Sequence, residues 1–164
     1  SNTAIFDGFG PHERVAFALR KLEEDIDEDI DSLDPSTHVG SIIWTFPGLS
    51  IAGGWRERMT AALVLPTTKV GESMTEQRVL TRTPVTDENR HDLEVFRDFF
   101  YDVTYEEDYI TGYGVQTGVG NLGGTTQIYG RNEPGVQYAH RTINAIMTEN
   151  HRDGFPLPRQ APSR

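Results

Sequence analysis

The clearest pattern of apolar and polar positions lies between residues 39 and 83, where short β-rich runs alternate with turn residues. Pro47-Gly48 and Gly53-Gly54 separate the first runs, and Pro66 ends a third. Tight turns between neighbouring runs favour an antiparallel meander. Four strands are therefore predicted, over residues 39–46, 49–52, 55–65 and 72–83.

A helical period replaces the β pattern after Thr86-Asp87, where either residue can serve as the N-cap. Apolar side chains then recur at helical spacing, at Leu93, Phe96, Phe99, Phe100 and Val103. The pattern continues or resumes over residues 105–116, although Gly112, Gly114 and Gly118 predict a break or a loosened turn there.

A last helix is predicted to begin at Pro134, a residue that the first helical turn tolerates. Its predicted inner face is formed by Val136, His140, Ile143, Ile146 and Met147. Strands followed by a long helix and a shorter one predict an α+β fold, with a helix packed on one face of an antiparallel sheet.

The first 38 residues carry weaker signals. Residues 3–14 are rich in Gly and Pro and predict a loop, and residues 15–22 have a short helical period. The acidic run over residues 23–31 is typical of a solvated face or a connector.

Composition narrows the class of protein. A length of 164 residues fits one domain, and a net charge of −10 disfavours binding to nucleic acid or to an anionic membrane. The absence of cysteine excludes a disulfide framework, a thiolate nucleophile and a Cys-ligated iron–sulfur cluster within the chain. No apolar run is long enough to cross a bilayer and no signal segment begins the chain, so a cytoplasmic location is expected.

Three segments are expected. Ser1-Asn2 resembles the remnant of a cleaved tag, residues 3–152 form the domain portion, and residues 153–164 form a Pro-rich tail.

Two motifs in the second half of the chain resemble a known family. The first is the acidic run at residues 105–109, which leads to Val115-Gln116 and Gly118; the second runs from Glu133 to His140-Arg141. In this order they resemble the C-terminal signature of Rieske-type non-haem iron oxygenases, the aromatic-ring-hydroxylating family. An upstream run containing Phe46-Pro47-Gly48 resembles the family's strand with Phe-Pro-Asn, with Gly in place of Asn. The resemblance covers residues 38–147.

This resemblance implies the C-terminal part of an oxygenase alpha-subunit catalytic domain, with a helix-grip fold of the START/Bet v 1 kind. The parent protein would be a terminal oxygenase that activates dioxygen at mononuclear Fe(II) to hydroxylate or dihydroxylate an aromatic or other small organic substrate. Family membership also implies a [2Fe–2S] Rieske cluster, a reductase or ferredoxin that draws electrons from NAD(P)H, and a homotrimer.

Asp108 is the sharpest candidate for chemistry. A carboxylate on a largely apolar helical stripe is either part of a solvated acidic turn or a group that a cation compensates, and the spacing alone leaves both open. The resemblance implies that Asp108 is the carboxylate ligand of the iron, with Glu107 as the alternative one position earlier. Phe100 and Thr104, one and two turns before Asp108, are the candidates for lining the substrate pocket. Gln116 is a further candidate, for orienting the helix.

The chain also departs from the family pattern. It has no Cys-x-His and Cys-x-x-His pair for the cluster, and its histidines, at positions 12, 38, 91, 140 and 151, include no closely spaced pair. We therefore expect the two histidine ligands and the cluster to lie upstream in a longer subunit, and the chain to be inactive alone. Two other classes stay open: a helix-grip module that binds an apolar small molecule without a metal, and a regulatory relative with no chemistry.

Overall fold

The computed structural model describes residues 4–54, 58–122 and 126–148. Six strands form one antiparallel sheet in the order of the chain. They are β1 (Ala4–Phe9), β2 (His12–Ala18), β3 (Val39–Thr45), β4 (Leu49–Gly54), β5 (Arg58–Pro66) and β6 (Ser73–Thr81). The four predicted strands are thus confirmed as β3 to β6. The segments predicted at residues 1–2 and 153–164, and the start of the third predicted strand at 55–57, lie outside the described residues.

The β1–β2 hairpin corrects the prediction for the start of the chain. The predicted loop is wrong over its described residues 4–14, and the helical segment predicted over 15–22 is confirmed only at its end, where a short helix begins at Arg20. Gly10, with a φ of 63°, lies in the tight turn between the two strands. Asp7 and Arg14 face each other across the hairpin and form an ion pair of 2.6 Å. Gly10 and Pro11, which indicated a loop, form the turn of the hairpin. The strands on either side are too short for their alternation of apolar and polar residues to stand out in the sequence.

Between β2 and β3 the chain forms two short helices, α1 (Arg20–Glu24) and α2 (Pro35–His38), with a 3-10 turn at Ile30–Ser32. The carboxylate of Asp34 caps α2 by accepting a hydrogen bond of 2.9 Å from the Ser36 amide. The amide of Leu19 donates to the carbonyl of His38 at 2.8 Å, which closes the base of this excursion. Residues 24 and 26–31 of the acidic run 23–31 are exposed, as predicted, whereas Asp25 is half-buried.

The long helix begins where it was predicted to begin. Thr86 and Asn89 form a capping box at the start of α3 (Asp87–Val103). The helix then continues through a π-helical turn at Thr104–Tyr109 into α4 (Ile110–Leu122). The predicted break at Gly112, Gly114 and Gly118 is therefore wrong. The loosened turn lies before these glycines, at the acidic residues 106–108.

Both α3 and α5 (Pro134–Thr148) lie on the same face of the sheet. The strand register defines one row of side chains on that face, which crosses all six strands through Phe6, Val15, Ile42, Ala52, Thr60 and Val79. At one end of this row, the Phe6 ring meets Tyr138 of α5 with the ring centroids 5.6 Å apart. At the other end, Thr60 and Val79 face α3. Ile42, at the centre of the row, remains 44% exposed.

Helix α5 begins at Pro134 as predicted, but its predicted inner face is wrong. Tyr138 is 5% exposed and Thr142 is also buried, whereas Met147 is 79% exposed. The hydroxyl of Tyr138 donates a hydrogen bond of 2.6 Å to the Gly10 carbonyl, and its ring lies over Gly8. The face of α5 that packs on the sheet is the one that carries Tyr138, whose ring fits over the hairpin. Counting aliphatic positions in the sequence does not detect this face.

The fold class itself is confirmed: an antiparallel sheet with a long helix laid on it, α+β and similar to a helix grip.

The contact between Gly8 and Tyr138 gives a stability test. A Cβ at residue 8 would lie 2.5 Å from the Tyr138 ring, so Gly8→Ala should lower the free energy of unfolding by about 1–3 kcal/mol. Gly118→Ala is the control, because nothing lies within 4 Å of a Cβ there and alanine favours a helix by about 0.5–1 kcal/mol. Urea unfolding of the two variants should give opposite signs, and a shift of the same sign in both would contradict the packing described here.

Candidate functional site

Asp108 lies in the π-helical turn at Thr104–Tyr109, where the long helix is locally widened. Threonines border this turn on both sides: the Thr104 hydroxyl donates to the Phe100 carbonyl at 2.8 Å, and the Thr111 hydroxyl donates to the Glu107 carbonyl at 2.6 Å. Such wide turns are rare and occur frequently at functional sites. The acidic run thus coincides with the one irregularity of the helix over residues 87–122.

The predicted pocket residues and Asp108 do not line a common cavity in the structure. Phe100 lines a small cavity of about 180 Å³ against the sheet, together with Thr60 and Val79. Asp108 lines a different and larger one, and neither cavity is lined by Thr104, which is half-buried.

The larger cavity, which we call the hairpin groove, has a volume of about 750 Å³ and lies between the long helix and the β5–β6 hairpin. The hairpin side is lined by Val64, Thr67, Gly71, Glu72, Ser73 and Thr75. The helix side is lined by Tyr101, Tyr105, Asp108, Tyr109, Gly112, Tyr113 and Gln116. Its volume is in the range of small-molecule sites.

Four tyrosines of the groove form a row that the sequence reasoning missed. They follow one another at intervals of four residues, at positions 101, 105, 109 and 113. The rings of Tyr101 and Tyr105 are stacked, with centroids 6.0 Å apart and planes 14° from parallel. The interval of four residues was a visible signal in the sequence, because residues so spaced lie on one side of a helix.

Asp108 is exposed within the groove, and nowhere in residues 4–54, 58–122 and 126–148 does a side chain or amide hydrogen-bond or ion-pair with its carboxylate. Glu107, its neighbour, is not among the groove's lining residues. Of these two acids, Asp108 lines the groove and Glu107 does not.

Gln116 lies at the hairpin end of the groove. A Cβ built on Gly71, which has a φ of 83°, would lie 3.3 Å from the Gln116 amide nitrogen. The side chain is thus close against the turn of the hairpin. Further along the groove, the Gln77 amide donates a hydrogen bond of 3.0 Å to the Tyr109 hydroxyl oxygen. Together these contacts connect the helix segment that carries Asp108 to strand β6 and its hairpin.

The described histidines do not join Asp108. The Phe46 amide donates to Nδ1 of His12 at 3.1 Å, and Nε2 of His140 lies 2.6 Å from the Tyr129 hydroxyl. His91 is exposed in α3, and His151 lies outside the described residues. Within the ranges that the structure describes, no three His, Cys, Asp or Glu side chains are grouped to hold a metal ion.

His38 has a structural role. It is 5% exposed, and its two ring nitrogens lie 2.7 Å from the Asp34 carbonyl and 2.9 Å from the Asp25 carboxylate. The Thr37 hydroxyl also lies 2.7 Å from Nδ1, and the Asp25 carboxylate can only accept, so Nε2 donates to it. The Asp34 carbonyl, and then the Asp25 carboxylate, raise the pKa of His38. Hydrogen bonds from His38 and Lys21 lower the pKa of Asp25.

Comparison with protein families assigns the chain. The family described as the ring hydroxylating alpha subunit, catalytic domain, matches residues 1–149. The chain belongs to this family. No curated protein and no solved structure gave a match.

Membership supports an oxidoreductase of the ring-hydroxylating oxygenase class. Proteins of this family generally use mononuclear iron and a Rieske cluster, work with a reductase or ferredoxin, and form oligomers. Among the helices that the structure describes, none is long and apolar enough to span a membrane.

The pair of His38 and Asp25 predicts a pH dependence of stability. A raised His38 pKa contributes stability that is complete below the unfolded value of about 6.5 and is lost as the pH rises through the folded value. A lowered Asp25 pKa contributes stability that is present above about pH 4 and is lost in acid. The pair should therefore stabilise the chain most between about pH 4 and 6.5.

Chemical unfolding between pH 6 and 9 measures this effect. The free energy of unfolding should decline less steeply with pH in Asp25→Asn than in the unmodified chain. Asp27→Asn is the control, because Asp27 is exposed in the same acidic run. Equal pH slopes in the unmodified chain and Asp25→Asn would contradict the assignment.

Proposed function

We propose that this chain is the C-terminal part of an oxygenase catalytic domain that activates dioxygen at mononuclear Fe(II), with Asp108 as the carboxylate ligand of the iron. The observation that carries the proposal is a carboxylate without a described partner, presented by an irregular helical turn into a groove, in a chain of the ring-hydroxylating family. Two imidazole ligands and one carboxylate ligand leave coordination positions on the iron open for dioxygen. Activation of dioxygen is the chemistry that the bound iron would supply.

The described residues supply one of the three protein ligands that such an iron site needs. Asp108 offers the carboxylate, and the described histidines are engaged elsewhere or lie away from the groove. We infer that the two imidazole ligands and the Rieske cluster belong to a part of the parent subunit outside this chain. Electrons would arrive from a reductase or ferredoxin, and the parent would be a homotrimer.

The exposed apolar surface supports a larger parent domain. Helix α4 contains no charged residue, and its apolar side chains Ile110, Tyr113, Val115 and Val119 are each at least 43% exposed. On α3, Phe99 is 64% exposed, and Ile42 at the centre of the sheet face is open. Further protein packed on these surfaces would remove this apolar area from water.

Phe100, Thr104 and Gln116 take supporting roles in this proposal. Phe100 and Thr104 line the substrate pocket once the parent domain covers the helix, and Gln116 fixes the helix against the hairpin at Gly71. Phe100 and Asp108 line different cavities, so Phe100 would contact the substrate from the sheet side, where its cavity of about 180 Å³ lies.

A second candidate is a binding module that holds an apolar small molecule and uses no metal. It is favoured by the tyrosine-lined groove of about 750 Å³ and by the lack of a metal-binding group in the described part of the chain. Under this candidate Asp108 is a solvated surface acid, and its removal changes neither metal content nor activity of the parent.

The iron content of the full-length parent tests the proposal. We expect the unmodified protein to contain mononuclear iron and to show a Rieske-type visible spectrum. Asp108→Ala should lose most of the mononuclear iron and retain the spectrum, because the cluster is bound elsewhere. Glu107→Ala is the matched control and should keep both. Full iron retention in Asp108→Ala, or loss in Glu107→Ala alone, would overturn the assignment of Asp108.

The isolated chain gives an independent test. With one ligand of three, it should bind Fe(II) only weakly and should consume no dioxygen. Anaerobic calorimetric titration with ferrous ion measures the affinity. Stoichiometric, high-affinity binding by the chain alone would contradict the inference that the remaining ligands lie elsewhere.

A further inference from the structure

We propose that the hairpin groove binds an organic cation, a quaternary or tertiary ammonium group held against the tyrosine row. This names a substrate class for the proposed oxygenase, and that role rests on the proposed function. The binding itself rests on the groove alone, because it requires no iron.

The aromatic wall of the groove is the first argument. Four tyrosines line one side, at positions 101, 105, 109 and 113, and three of these rings are exposed enough to contact a ligand. Tyr109 is half-buried and is held by the Gln77 amide at 3.0 Å. The electron-rich faces of aromatic rings attract cations, and an ammonium group against this wall would meet one or two neighbouring rings of the row.

The charge of the groove is the second argument. Among the residues that the structure describes, its lining contains two carboxylates, Asp108 and Glu72, and contains no Lys, Arg or His. Glu72 pairs with Lys69 at 3.2 Å, in an exposed contact that neutralises it weakly. An anion would meet only like charge here, whereas a cation meets opposite charge and ring faces together.

The remaining features agree with a small cationic ligand. A volume of about 750 Å³ accommodates an ammonium head group and a short organic chain. The formal charge of the chain is −10, which favours the approach of cations. If Asp108 binds iron in the parent, Glu72 and the tyrosine rings remain as the partners of the cation.

Choline and its neutral carbon isostere, 3,3-dimethyl-1-butanol, are the probes. The two molecules share their shape and their hydroxyl group and differ in charge. The ratio of their affinities therefore measures the electrostatic part of the binding free energy. Titration of the 164-residue chain, followed by the NMR signals of the tyrosine rings, should show choline binding about tenfold more tightly or better, the range that cation–π attraction and opposite charge give.

Variants at Tyr105 localise the site. Tyr105→Leu should weaken choline binding by about threefold to thirtyfold, whereas Tyr105→Phe keeps the ring face and should bind as the unmodified chain does. Equal affinity for both probes, no binding of choline, or binding that Tyr105→Leu leaves unchanged would each overturn the proposal. Because these titrations use no iron, the iron assay of Asp108→Ala can fail while cation binding stands, and the reverse also holds.

Discussion

The packing of the long helix on the β5–β6 edge of the sheet determines where every candidate functional group lies. The Arg58 guanidinium lies 5.3 Å from the centre of the Phe96 ring and donates a hydrogen bond of 3.2 Å to the Asp92 carbonyl. Further along the helix, Gln77 bonds Tyr109. These contacts hold the helix before its wide turn and at the last residue of that turn, and Asp108, within the turn, lines the groove beside the hairpin.

The centre of the sheet face is open between the two helices that pack on it. Helices α3 and α5 occupy opposite ends of the same face, at β5–β6 and β1–β2, and the row of side chains between them is open at Ile42. Apolar surface of this kind is costly to leave in water. The chain belongs to a family whose members typically form oligomers, which agrees with additional protein over this face.

The sequence predicts an element correctly where its local pattern and its tertiary packing favour the same structure. Strands β3 to β6 followed from alternation and turn residues, and the start of α3 followed from Thr86, whose capping box the structure contains. Prediction from the sequence failed where tertiary packing decides. The β1–β2 hairpin, which the family match includes, was hidden by the turn at Gly10-Pro11, and the inner face of α5 depends on a ring that fits over Gly8.

For the site, Asp108 was available only through family resemblance, because spacing alone also fitted a solvated acid. The wide turn has no composition signal, since no residue in it is a helix breaker.

Electron paramagnetic resonance of the ferrous full-length parent, exposed to nitric oxide as a stand-in for dioxygen, is the decisive experiment. The unmodified protein and Glu107→Ala should show the adduct signal of mononuclear non-haem iron. Asp108→Ala should lose that signal and keep the Rieske cluster intact. An undiminished adduct signal in Asp108→Ala, or no signal in the iron-supplied unmodified protein, would contradict the proposed iron site.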